Sequence, residues 1–128
     1  MSILSTLLGN ASQADTEKIA AELAGILTTG ESVDAAFKFV RDMIVFTNKR
    51  MITVDVEGMT GKKREWTSVP YKAINRFSAE TAGWFDVDAE LRVWVIGQAD
   101  PVTFELKGGT KMQDLYRILS EHVLRSGA

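Results

Sequence analysis

The chain has 128 residues, 45% of them hydrophobic and 25% charged, with a net charge of −2 and no cysteine. That length holds one domain with a core of its own, and the balance excludes a chain disordered throughout. The lack of cysteine excludes disulfides and thiolate metal sites and suits a reducing cytosol, and the negative charge argues against nucleic acid as a partner.

The charge is unevenly spread. Residues 1–37 hold one base and five acids, residues 38–76 nine bases and four acids, and residues 77–128 five bases and eight acids. A basic middle between acidic flanks marks either an anion-binding face or the complementary halves of a self-associating surface. Met1 to Leu8 is too short and too uncharged for a signal peptide, and no window approaches the roughly 18 apolar residues of a membrane span. The expected compartment is the cytoplasm.

The first thirty residues read as a helical hairpin. Ile3, Leu4, Leu7 and Leu8 follow helical spacing, and Gly9-Asn10 ends that helix. Ser12-x-x-Asp15 resembles a capping box opening a second helix, whose stripe is Ile19, Leu23, Ile26 and Leu27 and which Thr28-Thr29-Gly30 closes. From residue 31 to 128 we expect one compact unit, mainly antiparallel β.

There the period changes to two. Val33, Ala35, Phe37 and Phe39 alternate with Asp34, Ala36 and Lys38, as in a half-buried strand. Met43–Phe46 and Met51–Val56 form the next two strands, with Ile52, Val54 and Val56 facing inward and Asn48 suiting the turn between them. Glu57 to Gly61 is a second turn, Lys62–Val69 a fourth strand that Pro70 ends, and Ile74–Ala79 a fifth. Phe85–Ile96 shows the clearest alternation, except that Trp94 and Ile96 spoil its polar face and call for a cover. Val102–Leu106 is the last strand. Thr110-x-x-Gln113 caps a final helix burying Met112, Leu115, Tyr116, Leu119 and Val123.

Seven strands in meander order followed by one helix suggest a partly open barrel with the helix plugging one end. The runs Phe46-Thr47-Asn48-Lys49-Arg50-Met51-Ile52 and Val69-Pro70-Tyr71-Lys72-Ala73-Ile74-Asn75-Arg76-Phe77-Ser78 resemble the paired signatures of bacterial pleckstrin-homology (PH)-like domains. The resemblance covers about residues 31–124, and the N-terminal hairpin is similar to that of one subfamily. It implies an α+β fold with a PH-like seven-stranded barrel, a non-enzymatic domain, and assembly into homo-oligomeric rings, five-fold in crystallised relatives.

The residues themselves offer little chemistry. His122, the single histidine, reads as a surface or helix-flank residue, and no phosphate loop or nucleophile triad accompanies it. Asp86, Asp88 and Glu90 share one strand face, which more often is a solvated outer face than a Ca²⁺ site. We therefore expect no catalytic residue, no metal and no cofactor.

Two association surfaces remain. For homo-oligomer contacts the candidates are Leu4, Leu7 and Leu8 of the hairpin and Trp94 and Ile96 of the strand face. For an anionic-lipid or phosphoinositide headgroup they are Lys49, Arg50, Lys62, Lys63 and Arg64, with Trp66 nearby. Lys38 and Arg41 lack the further basic pair that lipid-binding PH domains carry, so self-association is favoured over a membrane surface.

Overall fold

The structure, a computed structural model, describes residues 13–38, 42–57, 63–81, 89–106 and 112–126. The elements are helix α1 (Gln13–Glu22), strands β1 (Val33–Lys38), β2 (Met43–Thr47), β3 (Arg50–Glu57) and β4 (Lys63–Pro70), and a 3₁₀ turn (Tyr71–Ala73). They continue as β5 (Ile74–Thr81), β6 (Ala89–Val95), β7 (Val102–Leu106) and helix α2 (Met112–Ser126). The strands form a four-stranded sheet in the order β1-β2-β3-β4 and a three-stranded sheet in the order β5-β6-β7. The ladders joining β1 to β2, β2 to β3, β5 to β6 and β6 to β7 are antiparallel. The strands expected to form one partly open barrel are thus grouped in two sheets. The chain divides into two compact units, Met1–Ser68 and Val69–Ala128.

In the first unit α1 packs on β1. Ile19 of α1 and Leu23 just past its end enter a core with Ala36, Met43, Val45, Ile52 and Val54, and Ile26, Leu27 and Val33 pack against its edge. Ala35, Phe37, Ile44, Phe46 and Met51 point to the sheet's other face, where Phe37 and Phe46 meet edge to face at 5.9 Å. The strict alternation expected for β1 therefore fails at its centre, since Ala35, Ala36 and Phe37 are all buried. A register shift between Val33 and Ala35 and the helix over Ala36 account for this.

Two further expectations change. The α1 helix stops at Glu22 rather than running to Thr28: the Ala24 and Ile26 N–H groups bond three residues back, which tightens the chain into turns around Gly25. The first half of the hairpin, with Leu4, Leu7 and Leu8, lies outside the described residues.

In the second unit Pro70 ends β4 as expected, and Tyr71 and Ile74 are both buried beyond that corner. Leu91 and Val93 form the buried face of β6. The α2 helix packs on the 3₁₀ turn and β5, burying Met112, Leu115, Leu119 and Val123 as their spacing predicts. Among the described residues, no helix is long and apolar enough to cross a membrane.

Candidate functional site

The Thr47-Asn48-Lys49-Arg50 corner joins β2 to β3, and each of its side chains reaches back to residues 26–32. Asn48 Nδ2 donates to the Gly30 carbonyl at 2.9 Å, and its Oδ1 accepts the Ser32 N–H at 2.8 Å. Lys49 Nζ donates to the Thr29 carbonyl at 2.7 Å. Arg50 donates from Nη2 to the Ile26 carbonyl at 2.7 Å and from Nη1 to Ser68 Oγ at 2.9 Å. Asn48 does not adopt a left-handed backbone here; among the described residues only Gly30 and Gly97 have positive φ. Asn48 fits the position because its amide can donate and accept at once.

Glu31 is the centre of this arrangement, and its side chain has no exposed surface. Its carboxylate accepts from Arg50 Nε at 2.8 Å, Arg50 Nη2 at 3.0 Å, Thr47 Oγ1 at 2.6 Å and the Thr28 N–H at 2.9 Å. Burial alone would raise the pKa of the carboxyl. The bonds from Arg50, Thr47 and Thr28, with the guanidinium charge, outweigh burial and bring it down from 4.5 to about 2. Thr47 Oγ1 in turn accepts the Lys49 and Arg50 N–H groups at 3.0 and 2.9 Å. The guanidinium of Arg50 is thus committed within the chain, and Lys49 is tethered although exposed.

The remaining basic candidates stand apart from this network. Lys63 and Arg64 are exposed on β4, whose residues from Lys63 to Ser68 are all exposed, Trp66 at 51%. Lys62, like Arg41, lies outside the described residues. Lys49 and Arg50 are thus held by residues 26–31, while Lys63 and Arg64 are exposed.

The outer face of the three-stranded sheet carries the other candidates. Trp94 is half-buried, with the Arg76 guanidinium 4.4 Å from its ring centre, so part of the expected cover comes from β5. Ile96 lies just beyond β6, where its N–H donates to the Ala73 carbonyl and its side chain is 61% exposed. Glu80 lies directly opposite Glu90, and Glu90 opposite Glu105, so three carboxylates cross the sheet in one row. Arg92 pairs with Glu80 at 3.2 Å and with Glu90. Asp86 and Asp88 lie outside the described residues. Among the described residues no group of three His, Cys, Asp or Glu side chains is placed to hold a metal.

His122 flanks α2 and stacks on Tyr71 at 4.6 Å with the rings nearly parallel. Sequence reasoning missed Glu31. Its signal was present as Thr28-x-x-Glu31, the spacing at which a carboxylate reaches back to a threonine N–H, here without a helix following.

The sequence profile described as "Bacterial PH domain" matches residues 2–123. The uncharacterized protein YjqA of Bacillus subtilis (strain 168) is 51% identical over 121 residues, covering 94% of this chain and 97% of YjqA. YozO of the same organism, also uncharacterized, is 34% identical over 106 residues, covering 81% and 89%. The crystal structure of a pleckstrin homology domain from Shewanella amazonensis SB2B is similar with a TM-score of 0.80 and 48% identity, covering 95% and 98%. A protein with a pleckstrin-homology domain from Shewanella loihica PV-4 is similar with a TM-score of 0.77 and 46% identity, covering 84% and 92%.

Proposed function

This chain belongs to the bacterial PH domain family, and from that premise we propose that it is a non-catalytic interaction module in the cytoplasm whose partner is further copies of itself. The observation that carries this reading is exposed apolar surface next to charge. Ile96 is 61% exposed beside the Arg76–Trp94 pair, and Trp66 is 51% exposed on the open strand β4. Apolar patches rimmed by charge favour association. A head-to-tail contact that closes into a ring joins two different faces of each copy. Ile96 and Trp94 form one of these faces, and Leu4, Leu7 and Leu8 of a neighbour the other. Native mass spectrometry at micromolar concentration tests it; the expected species is a homo-oligomer, and a monodisperse monomer overturns the proposal.

A second reading rests on Lys63 and Arg64, which are exposed on the same strand as Trp66. Basic residues beside an aromatic ring suit an anionic membrane surface, at about 1 kcal/mol per charge. Tethering of Lys49 and Arg50 to residues 26–31 leaves this reading with fewer cations than the sequence offers. Co-sedimentation with vesicles of pure phosphatidylcholine and of phosphatidylcholine with phosphatidylglycerol decides it. Equal recovery in both supernatants dismisses it.

A further inference from the structure

The β4 strand is the last of the four-stranded sheet, with β3 as its one neighbour in the strand order. Residues 63–68 are all exposed, and burial begins only at Val69. Because successive side chains of a strand point to opposite sides, both faces of this stretch stand clear of the core. Arg64 and Trp66 share one face, and Lys63, Glu65 and Thr67 the other. Among the described residues no ion pair or ring contact engages Lys63, Arg64, Glu65 or Trp66. Nor, among them, does a backbone bond from outside the sheet reach residues 63–68.

Such an edge invites a further strand, and a run of one charge along it is the usual deterrent. Here the run is interrupted. Glu65 follows the bases Lys63 and Arg64, and the large ring of Trp66 follows Glu65. The strand therefore repels a uniformly basic neighbour and suits one whose acid, bases and ring fall at matching positions.

We propose that β4 pairs with β4 of a second copy of this chain, antiparallel about a two-fold axis at Glu65, so that the two four-stranded sheets become continuous. A two-fold axis normal to a sheet keeps every side chain on its own face. With the axis at Glu65, Arg64 of each copy lies opposite Trp66 of the other, and a guanidinium meets an indole ring twice. On the other face Lys63 lies opposite Thr67 and diagonal to Glu65, so two ammonium groups bracket the two central carboxylates. The neighbouring registers lose this match. An axis at Arg64 sets two guanidiniums directly opposite, and an axis at Trp66 sets Lys63 against the buried Val69. The contact joins the same strand of both copies, so it closes at two. It shares with the head-to-tail contact only the kind of partner and uses none of its residues, so either stands or falls without the other.

The chain has no cysteine, so one introduced thiol reports on one position. Glu65→Cys, Trp66→Cys and Thr67→Cys are oxidised separately at micromolar concentration, and disulfide-linked dimer is followed on non-reducing gels. Glu65→Cys sets the two thiols directly opposite, within disulfide reach, whereas those of Thr67→Cys are about 13 Å apart along the strands. Dimer is expected to form at least tenfold faster from Glu65→Cys than from Thr67→Cys. Adding Arg64→Glu is expected to slow it tenfold, and adding Ile96→Asp to leave it unchanged. Should a variant fail to fold, hydrogen exchange on the unmodified chain replaces it, with the amides of residues 63–68 slowing as concentration rises. Equal rates at 65 and 67, a faster rate at 66, indifference to Arg64→Glu, or exchange independent of concentration overturns the proposal. So does a monomer that pellets with the phosphatidylglycerol vesicles, which assigns β4 to a membrane surface instead.

Discussion

Arg50 grips Glu31 with two nitrogens at once, Nε on Oε2 at 2.8 Å and Nη2 on Oε1 at 3.0 Å. Such a fork fits a carboxylate in a way lysine cannot reproduce. Because the Glu31 side chain is fully buried, losing the Arg50 fork leaves its carboxylate without a counter-charge, and losing Glu31 leaves the part-buried guanidinium without one. Glu31→Gln and Arg50→Lys are each expected to cost about 3 kcal/mol, read from urea unfolding midpoints at an unchanged slope. A loss under 0.5 kcal/mol in both would show the pair to be incidental.

The same carboxylate sets an acid limit. Its pKa is about 2 in the folded chain against 4.5 unfolded, so the unfolded state binds the proton more readily. The stabilisation is complete above pH 4.5 and is lost as pH falls from there toward 2. Urea midpoints taken between pH 6 and pH 2.5 are expected to fall less steeply for Glu31→Gln than for the parent chain.

The row Glu80, Glu90, Glu105 sets like charges directly opposite one another, with Arg92 pairing the first two. Facing like charges destabilise a sheet. Glu105→Lys turns one repulsive pair into an attractive one. It is expected to stabilise by roughly 0.5 kcal/mol, or about 2 °C in Tm. The gain should shrink in 0.5 M salt, because the exposed charges are screened.

Arg76 lies over Trp94 from the neighbouring strand. In a background with Trp66 and Trp84 replaced by Phe, Arg76→Ala is expected to increase acrylamide quenching of Trp94. The stability cost is about 0.5–1 kcal/mol. Unchanged quenching would mean that Arg76 does not shield the ring.

Ile96 tests the proposed self-association directly. Ile96→Asp places a charge on the exposed apolar position without touching the buried face of β6. It is expected to shift the native mass toward monomer at an unchanged Tm. An unchanged oligomer would move the interface elsewhere.

Periodic features were the legible ones. The α2 stripe, the inward Ile52 and Val54, and the Pro70–Tyr71 corner were readable because a repeat or a single restricted residue determines each. The doubly buried centre of β1 was not, since the helix that covers Ala36 leaves no mark in the strand's own alternation. Lys49 and Arg50 read as candidates for an anionic headgroup because adjacent charges at a turn usually stand free in solvent. Their partners Thr29 and Glu31 lie about twenty residues away, and no local pattern links them. The Glu80–Glu90–Glu105 row was equally hidden, since it exists only once three strands are in register.

The pairing of Val33 with Thr47 at the end of β1 fixes which residues of the 28–32 segment the corner can meet. A slip of one position along the β1–β2 hairpin would turn Thr47 and Asn48 to the wrong side and separate them from Glu31 and Ser32. A misaligned hairpin would then forfeit the corner's bonds to Glu31 and Ser32 together while still pairing its backbone. The polar cluster therefore adds to the register specificity of the apolar strands, since the same slip breaks its bonds and turns their buried side chains to the other face.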